Sequence, residues 1–195
     1  MKKILMAAVA AMTLGYAGGD IVVAETPAPT PELTGFYVGA GYAYIDAEAT
    51  DGFDTADFTN NAVDLRVGYN INEYVAIEGR YAFGAEDDVD FNGYTTPFLA
   101  DIDTWGIFVK PQYPVTADAT IYALLGYGNV DGTFDGENLL DENGFQWGLG
   151  AKYSVTRNVE VFVDYIQAFN DTVNIDGDDI DLDVYTVTIG LTYKW

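Results

Sequence analysis

Asp176, Asp178, Asp179, Asp181 and Asp183 fall within eight residues and form the densest set of chemically competent side chains in this sequence. Carboxylate oxygens packed this closely suit a hard cation such as Ca²⁺ or Mg²⁺, with Asp176, Asp178, Asp179 and Asp181 as the ligands. The spacing departs from the twelve-residue calcium loop, which needs a glutamate at its last position. The other reading is solvated charge that keeps an exposed loop soluble and repels anions. Both readings stay open at this level, and weakly bound divalent cations are the one cofactor considered.

The residues that are missing narrow the chemistry further. The chain holds no histidine and no cysteine. The commonest general base and zinc ligand are therefore absent, and so are disulfides and thiolate nucleophiles. No carboxylate pair stands out among so many acids, so no catalytic residue is assigned and the chain reads as a non-enzyme. A net charge of −23 excludes nucleic acid as a partner. Gly126 and Gly128, like Gly148 and Gly150, have the look of phosphate loops, but neither pair opens a helix that would cradle the anion.

Those acids must be carried by something, and the sequence around them has a clear period. The stretch Tyr185 to Trp195 places Tyr185, Val187, Ile189, Leu191, Tyr193 and Trp195 on one face, with threonine, glycine or lysine between them. Period-two alternation is the mark of a β-strand with one apolar and one polar face. The pattern recurs over 35–46, 62–71, 75–84, 104–113, 119–128, 145–154 and 159–169, and the closing strand runs from 184 to 195. Residues 159–169 place Val159, Val161, Val163, Tyr165 and Phe169 on the apolar face. Over 119–128 that face carries Ile121, Ala123, Leu125 and Tyr127, although Tyr122 and Leu124 make the other face apolar as well.

Eight segments of about ten residues match the length of a tilted strand crossing a bilayer. The expected fold is all-β, an eight-stranded antiparallel up-and-down transmembrane β-barrel. Tight turns are expected at Asn72–Glu73, Pro114–Asp118 and Val155–Asn158. The other connections, roughly 47–61, 85–103, 129–144 and 170–183, read as long loops. With their strand ends these loops hold 22 of the 31 acidic residues and no lysine or arginine. Aromatics fall into two bands around an aliphatic belt, as two membrane interfaces require.

In this register the inward face carries Asp64, Arg66, Glu78, Arg80, Lys110, Lys152, Glu160, Asp164 and Lys194. Inward glycines make room for these long side chains. An eight-stranded barrel is just wide enough to be filled by its own side chains. A charged plug is the first reading, and a narrow channel for small solutes or ions is the alternative.

Residues 1–17 read as a signal peptide, with Lys2 and Lys3 before the apolar run Ile4 to Ala17. Residues 18–34, with prolines at 27, 29 and 31, read as an extended periplasmic linker. Residues 35–195 form the barrel.

The segments GFYVGAGY, DLRVGYNINEYVAIEGRY, YALLGYG, FQWGLGAKYS and IGLTYKW resemble the eight-stranded outer-membrane β-barrels of Gram-negative bacteria, the OmpA-like and opacity-type porin-family proteins. The resemblance covers residues 35–195 and includes no catalytic motif. It implies a monomer in the cell outer membrane, among lipid and lipopolysaccharide, at the cell surface. It also implies delivery by periplasmic chaperones to the barrel-assembly machinery, which would read Tyr185–Trp195 as the assembly signal. The carboxyl-terminal peptidoglycan-binding domain of longer relatives is not expected.

Deleting Trp195, or replacing Tyr193 and Trp195 with serine, should lower outer-membrane insertion and leave protein in the periplasm. Fractionation followed by surface labelling checks this, and normal surface levels in both variants would remove the strand from that role.

Overall fold

The computed structural model describes residues 34–50, 55–84, 87–91, 94–134, 137–175 and 178–195. The predicted signal peptide and nearly all of the linker lie outside them. Nine strands follow in chain order: β1 Gly35–Thr50, β2 Thr55–Asn70, β3 Val75–Gly84, β4 Asp87–Phe91, β5 Tyr94–Pro114, β6 Ala119–Phe134, β7 Glu137–Ser154, β8 Val159–Ile175 and β9 Asp178–Lys194. Every pairing is antiparallel. Going round, the order is β3-β2-β1-β9-β8-β7-β6-β5, and β5 returns to β3 to close the ring. β4 pairs only with β5 and stands outside the ring, so the barrel has eight strands. Closure removes every edge at membrane depth, which hydrocarbon demands because it offers the backbone no hydrogen bonds.

The three tight turns share one device. Asn72 Oδ1 accepts the N–H groups of Tyr74 at 2.7 Å and Val75 at 2.9 Å. Thr116 Oγ1 accepts from Asp118 and Ala119, and Thr156 Oγ1 accepts from Asn158 and Val159. Each turn therefore opens with a short polar side chain that folds back on the next backbone donors.

The long connections differ from expectation. The ladders run on through most of 47–61, 85–103, 129–144 and 170–183, reaching Thr50↔Thr55, Phe91↔Tyr94, Phe134↔Glu137 and Ile175↔Asp178. These segments are hairpin extensions rather than loops. Side-chain alternation fades there because the outer face has left the lipid, while backbone pairing continues independently of it.

Inside the membrane-length region the alternation reads out faithfully. Ile77 is 47% exposed on the outer face, and its neighbour Glu78 is fully buried. Phe36 and Tyr69 meet at 4.8 Å and Tyr193 and Trp195 at 5.4 Å near the turn end. Trp147, Tyr165 and Tyr185 form a row of ring contacts near the hairpin end. Ile107, Val109, Leu125, Leu149 and Leu191 are exposed between the two bands. On β6 the ambiguity resolves with Tyr122 and Leu124 buried and with Ile121 and Leu125 outside.

One outward assignment is reversed. Phe169 is buried, because the register of β8 against β9 slips between Gln167 and Phe169. The bulge adds a residue, and Phe169 changes face with it. Gln167 stitches the bulge, donating from Nε2 to the Phe169 carbonyl at 3.0 Å and to the Val184 carbonyl at 3.2 Å.

The register makes tolerance of charge asymmetric. Ile77→Arg should cost about 2–4 kcal/mol if the site lies near the midplane. Refolding titrations into bilayers measure this, and an Ile77→Arg barrel as stable as the parent would mean that the register is wrong.

Candidate functional site

The lumen is the chemically organised part of the molecule. Arg66 on β2 and Arg80 on β3 are direct register partners, so two guanidinium groups face each other inside the wall. Like charges placed opposite each other on a sheet repel. Asp164, from β8 across the lumen, resolves the conflict. Its carboxylate accepts from Arg66 Nη1 at 2.9 Å, from Arg80 Nη1 and Nη2 at 2.9 Å each, and from the Tyr122 hydroxyl at 2.6 Å.

Each arginine is also held by the acid two residues before it on its own strand. Arg66 Nε donates to Asp64 at 2.7 Å, and Arg80 Nε donates to Glu78 at 2.5 Å. Glu78 accepts further bonds from Lys110 Nζ at 2.8 Å and the Tyr37 hydroxyl at 2.5 Å. Three acids and three bases thus balance in one buried cluster. The Arg66 guanidinium lies 3.5 Å from the centre of the Phe162 ring, and Lys110 Nζ lies 4.0 Å from that of Tyr122. These cation–π contacts cover charge faces that have no carboxylate.

A second cluster lies nearer the tight turns. Glu160 takes Lys194 at 2.8 Å and Lys152 at 3.4 Å. All nine charged residues expected in the lumen therefore take part in ion pairs. Asp64, Arg66, Glu78 and Arg80, carried on the paired strands β2 and β3, interlock in one network. The acid–base pairs there run along each strand, and the two strands are joined through Asp164 on β8.

Sequence reasoning missed the lumen aromatics, apart from noting Tyr122 on the second face of its strand. Tyr37, Phe108, Tyr122 and Phe162 are each buried. Each faces a glycine in register on a neighbouring strand: Tyr37↔Gly68, Phe108↔Gly126, Tyr122↔Gly150 and Phe162↔Gly190. The ring occupies the space a side chain on that glycine would need. A Cβ on Gly150 would stand 2.5 Å from the Tyr122 ring, and one on Gly190 2.6 Å from Phe162. The signal was present as lone aromatics at polar-face parity, with glycines on the adjoining strands.

Sequence reasoning also missed an apolar layer. Toward the hairpin end the lumen is filled by Ala43, Ile45, Ala47, Ala62, Ala82, Ile102, Val130, Ala168, Phe169, Leu182 and Val184. Between this layer and the charged cluster lies a cavity of about 20 Å³, bordered by Asp64, Arg80, Gln146 and Thr188 among others. That volume suits about one water molecule.

The other predicted sites are placed as follows. Asp176 lies outside the described residues. The backbones of Asp178 and Asp179 pair with Ile175 and Asn174. Asp181 is exposed and accepts from Thr172 Oγ1 at 2.6 Å. Among the described residues no three acidic side chains converge as a metal site. On β9, Ile189, Leu191, Tyr193 and Trp195 are exposed on the outer face, with Tyr185 and Val187 partly covered. This strand pairs with β1 to complete the ring.

A closed eight-stranded antiparallel ring with an apolar aromatic-banded exterior and a charged, packed interior defines an outer-membrane β-barrel protein. Residues 6–194 match the family model described as the outer membrane protein beta-barrel domain, and the chain belongs to that family. No curated protein sequence matches the chain. Among solved structures it is similar to Ail, the attachment invasion locus protein of Yersinia pestis, crystallised with the heparin analogue sucrose octasulfate. The TM-score is 0.55 at 16% identity, covering 83% of this chain and 99% of Ail. It is also similar to Neisserial surface protein A, with a TM-score of 0.57 at 15% identity over 82% and 97% of the two chains. OprG from Pseudomonas aeruginosa gives 0.58 at 14% identity over 84% and 97%. At these identities the likeness concerns the fold.

Removing the hub should be costly. Asp164→Ala leaves Arg66 and Arg80 facing each other with their shared acceptor gone, and breaking a buried pair in this way costs about 3–5 kcal/mol. Urea unfolding in detergent measures the loss. A midpoint within error of the parent would show that the lumen charges do not depend on Asp164.

Proposed function

We propose that this protein is a closed, non-conducting outer-membrane barrel whose role is structural display: it holds acidic β-hairpins beyond the membrane for contact with partners at the cell surface. One observation carries the reading. Two packed layers lie in series along the lumen, the balanced cluster around Asp164 and the apolar layer above it, and they support a closed barrel. An ion entering the barrel would have to shed water against an apolar plug and then displace a salt-bridged carboxylate. Both steps are expensive in a low-dielectric interior.

No catalytic step is part of this reading. The barrel would sit as a monomer among outer-membrane lipid and lipopolysaccharide, reached through periplasmic chaperones and the barrel-assembly machinery. Tyr185, Val187, Ile189, Leu191, Tyr193 and Trp195 would supply the recognised closing strand. Lumen charge of both signs and hairpin charge of one sign fit a division of labour, with the interior serving stability and the exterior serving contact.

The test is single-channel recording of the refolded protein in planar bilayers. A flat baseline is expected over the usual voltage range. Regular ohmic steps from the parent protein would overturn the reading in favour of a narrow channel. Ile45→Gly with Val184→Gly, which thins the apolar layer, should leave the baseline flat as long as the Asp164 cluster is intact.

A further inference from the structure

Beyond the membrane the barrel opens along one side. The β7–β8 ladder runs from Ser154↔Glu160 up to Trp147↔Gln167 and stops. Above that point β7 pairs only with β6, from Gln146 to Glu137, and β8 pairs only with β9, from Phe169 to Ile175. On this side the ring is open, with β7 as one edge and β8 as the other, while β3 still joins β2 to β5 on the far side. Between β7 and β8 is a seam walled by the two strand edges, with ten residues of β7 from Glu137 to Gln146 and eight of β8 from Ala168 to Ile175. Phe169 floors it, its ring 3.6 Å from where a Cβ on Gly144 would stand.

A long edge with unused backbone donors and acceptors is a template for another strand. Thr172 N–H donates to its neighbour Asp171, and the Phe169 carbonyl accepts from Gln167. No proline interrupts either edge, and neither is covered by a helix among the described residues. The chemistry of the walls selects the occupant. Asp141 and Glu142 lie along β7, and Asp171 lies on β8 with Asp181 and Asp183 beside it on β9. The chain has no lysine or arginine between Lys110 and Lys152, or between Arg157 and Lys194.

We propose that the seam between β7 and β8 is a docking site for a basic, extended polypeptide segment of a partner, added as a strand. β7 and β8 run antiparallel, so a single inserted strand is antiparallel to one edge and parallel to the other. A basic hairpin would be antiparallel to both. Main-chain bonds would supply affinity and the acidic walls would select charge. The inference rests on the surface-display reading and specifies its partner.

The test uses the full barrel refolded in nanodiscs and a fluorescent peptide of alternating lysine and valine, eight residues long and carrying a photo-crosslinker. A second peptide of the same sequence is N-methylated at alternate backbone nitrogens, which keeps its charge and blocks strand pairing. Saturable binding is expected at 150 mM salt, at least tenfold weaker for the methylated peptide and several-fold weaker to Glu142→Gln with Asp171→Asn. Cross-links should map to 137–146 and 168–175. Equal binding of the two peptides, no binding, or cross-links confined to β4 would overturn the proposal. Cross-links joining these segments of two barrels would overturn it in favour of a second copy as the occupant. Channel recording is unaffected by any of these outcomes, so failure here leaves the closed-barrel reading to its own test.

Discussion

Two arginines face each other in the barrel wall, and one aspartate from the far side holds them there. Much of the lumen is arranged around that contact. Arg66 and Arg80 would repel if left alone, and because both are buried each needs acceptors close to its guanidinium. Asp164 accepts from both at once and so ties β2 and β3 to β8 across the interior. Tyr122 fills the remaining space on the same carboxylate, and Glu78 extends the cluster to Lys110 and Tyr37. A buried ionic network of this kind contributes little net stability compared with an apolar filling of the same shape. Its effect lies in geometry. Only the correct strand order and register bring all six charges together, and a slip by one residue would turn them toward lipid.

The aromatic–glycine pairs perform the complementary task. Eight strands leave a narrow interior, and six long charged side chains need room and direction. A glycine opposite each ring lets the ring lie flat across the wall. The ring then covers the face of a neighbouring guanidinium or ammonium group, as Phe162 covers Arg66 and Tyr122 covers Lys110. The space released by Gly150 and Gly190 is thereby converted into screening of charge from the apolar wall. Above this zone the filling changes in kind, because the hairpin end carries no basic residue that could balance an acid inside.

What could be read in advance follows from where the environment changes abruptly. At Ile77 and Glu78 one side chain meets lipid and the next meets the lumen, so parity alone assigns both. The same parity put nine charged residues on the inward face of the sequence pattern. At Phe169 parity misled, because a single-residue bulge leaves no mark in hydrophobicity. The hairpin extensions were hidden for a different reason. With water on the outer face, residues such as Asn170 to Asn174 lose any regular alternation, and the ladder is kept by backbone bonds that the side chains do not report. Tyr37 was overlooked because an aromatic on a polar face resembles noise until its glycine partner is in register, and Tyr122 was noticed only as an ambiguity of its strand. Asp164 was recognised as an inward acid, but its role as the shared acceptor depends on distance across the barrel, which period-two patterning does not encode.

The confinement of basic residues has a consequence for how the folded protein meets proteases. Beyond Lys2 and Lys3, the chain has six lysines and arginines, and five of them are Arg66, Arg80, Lys110, Lys152 and Lys194 in the barrel wall. The sixth, Arg157, sits in the exposed turn between β7 and β8. The hairpin end therefore offers nothing to an enzyme that cuts after a positive side chain, however accessible its backbone is. A trypsin-like protease would find its one exposed target at the opposite end, so the direction from which it approaches decides whether the folded barrel is nicked at all.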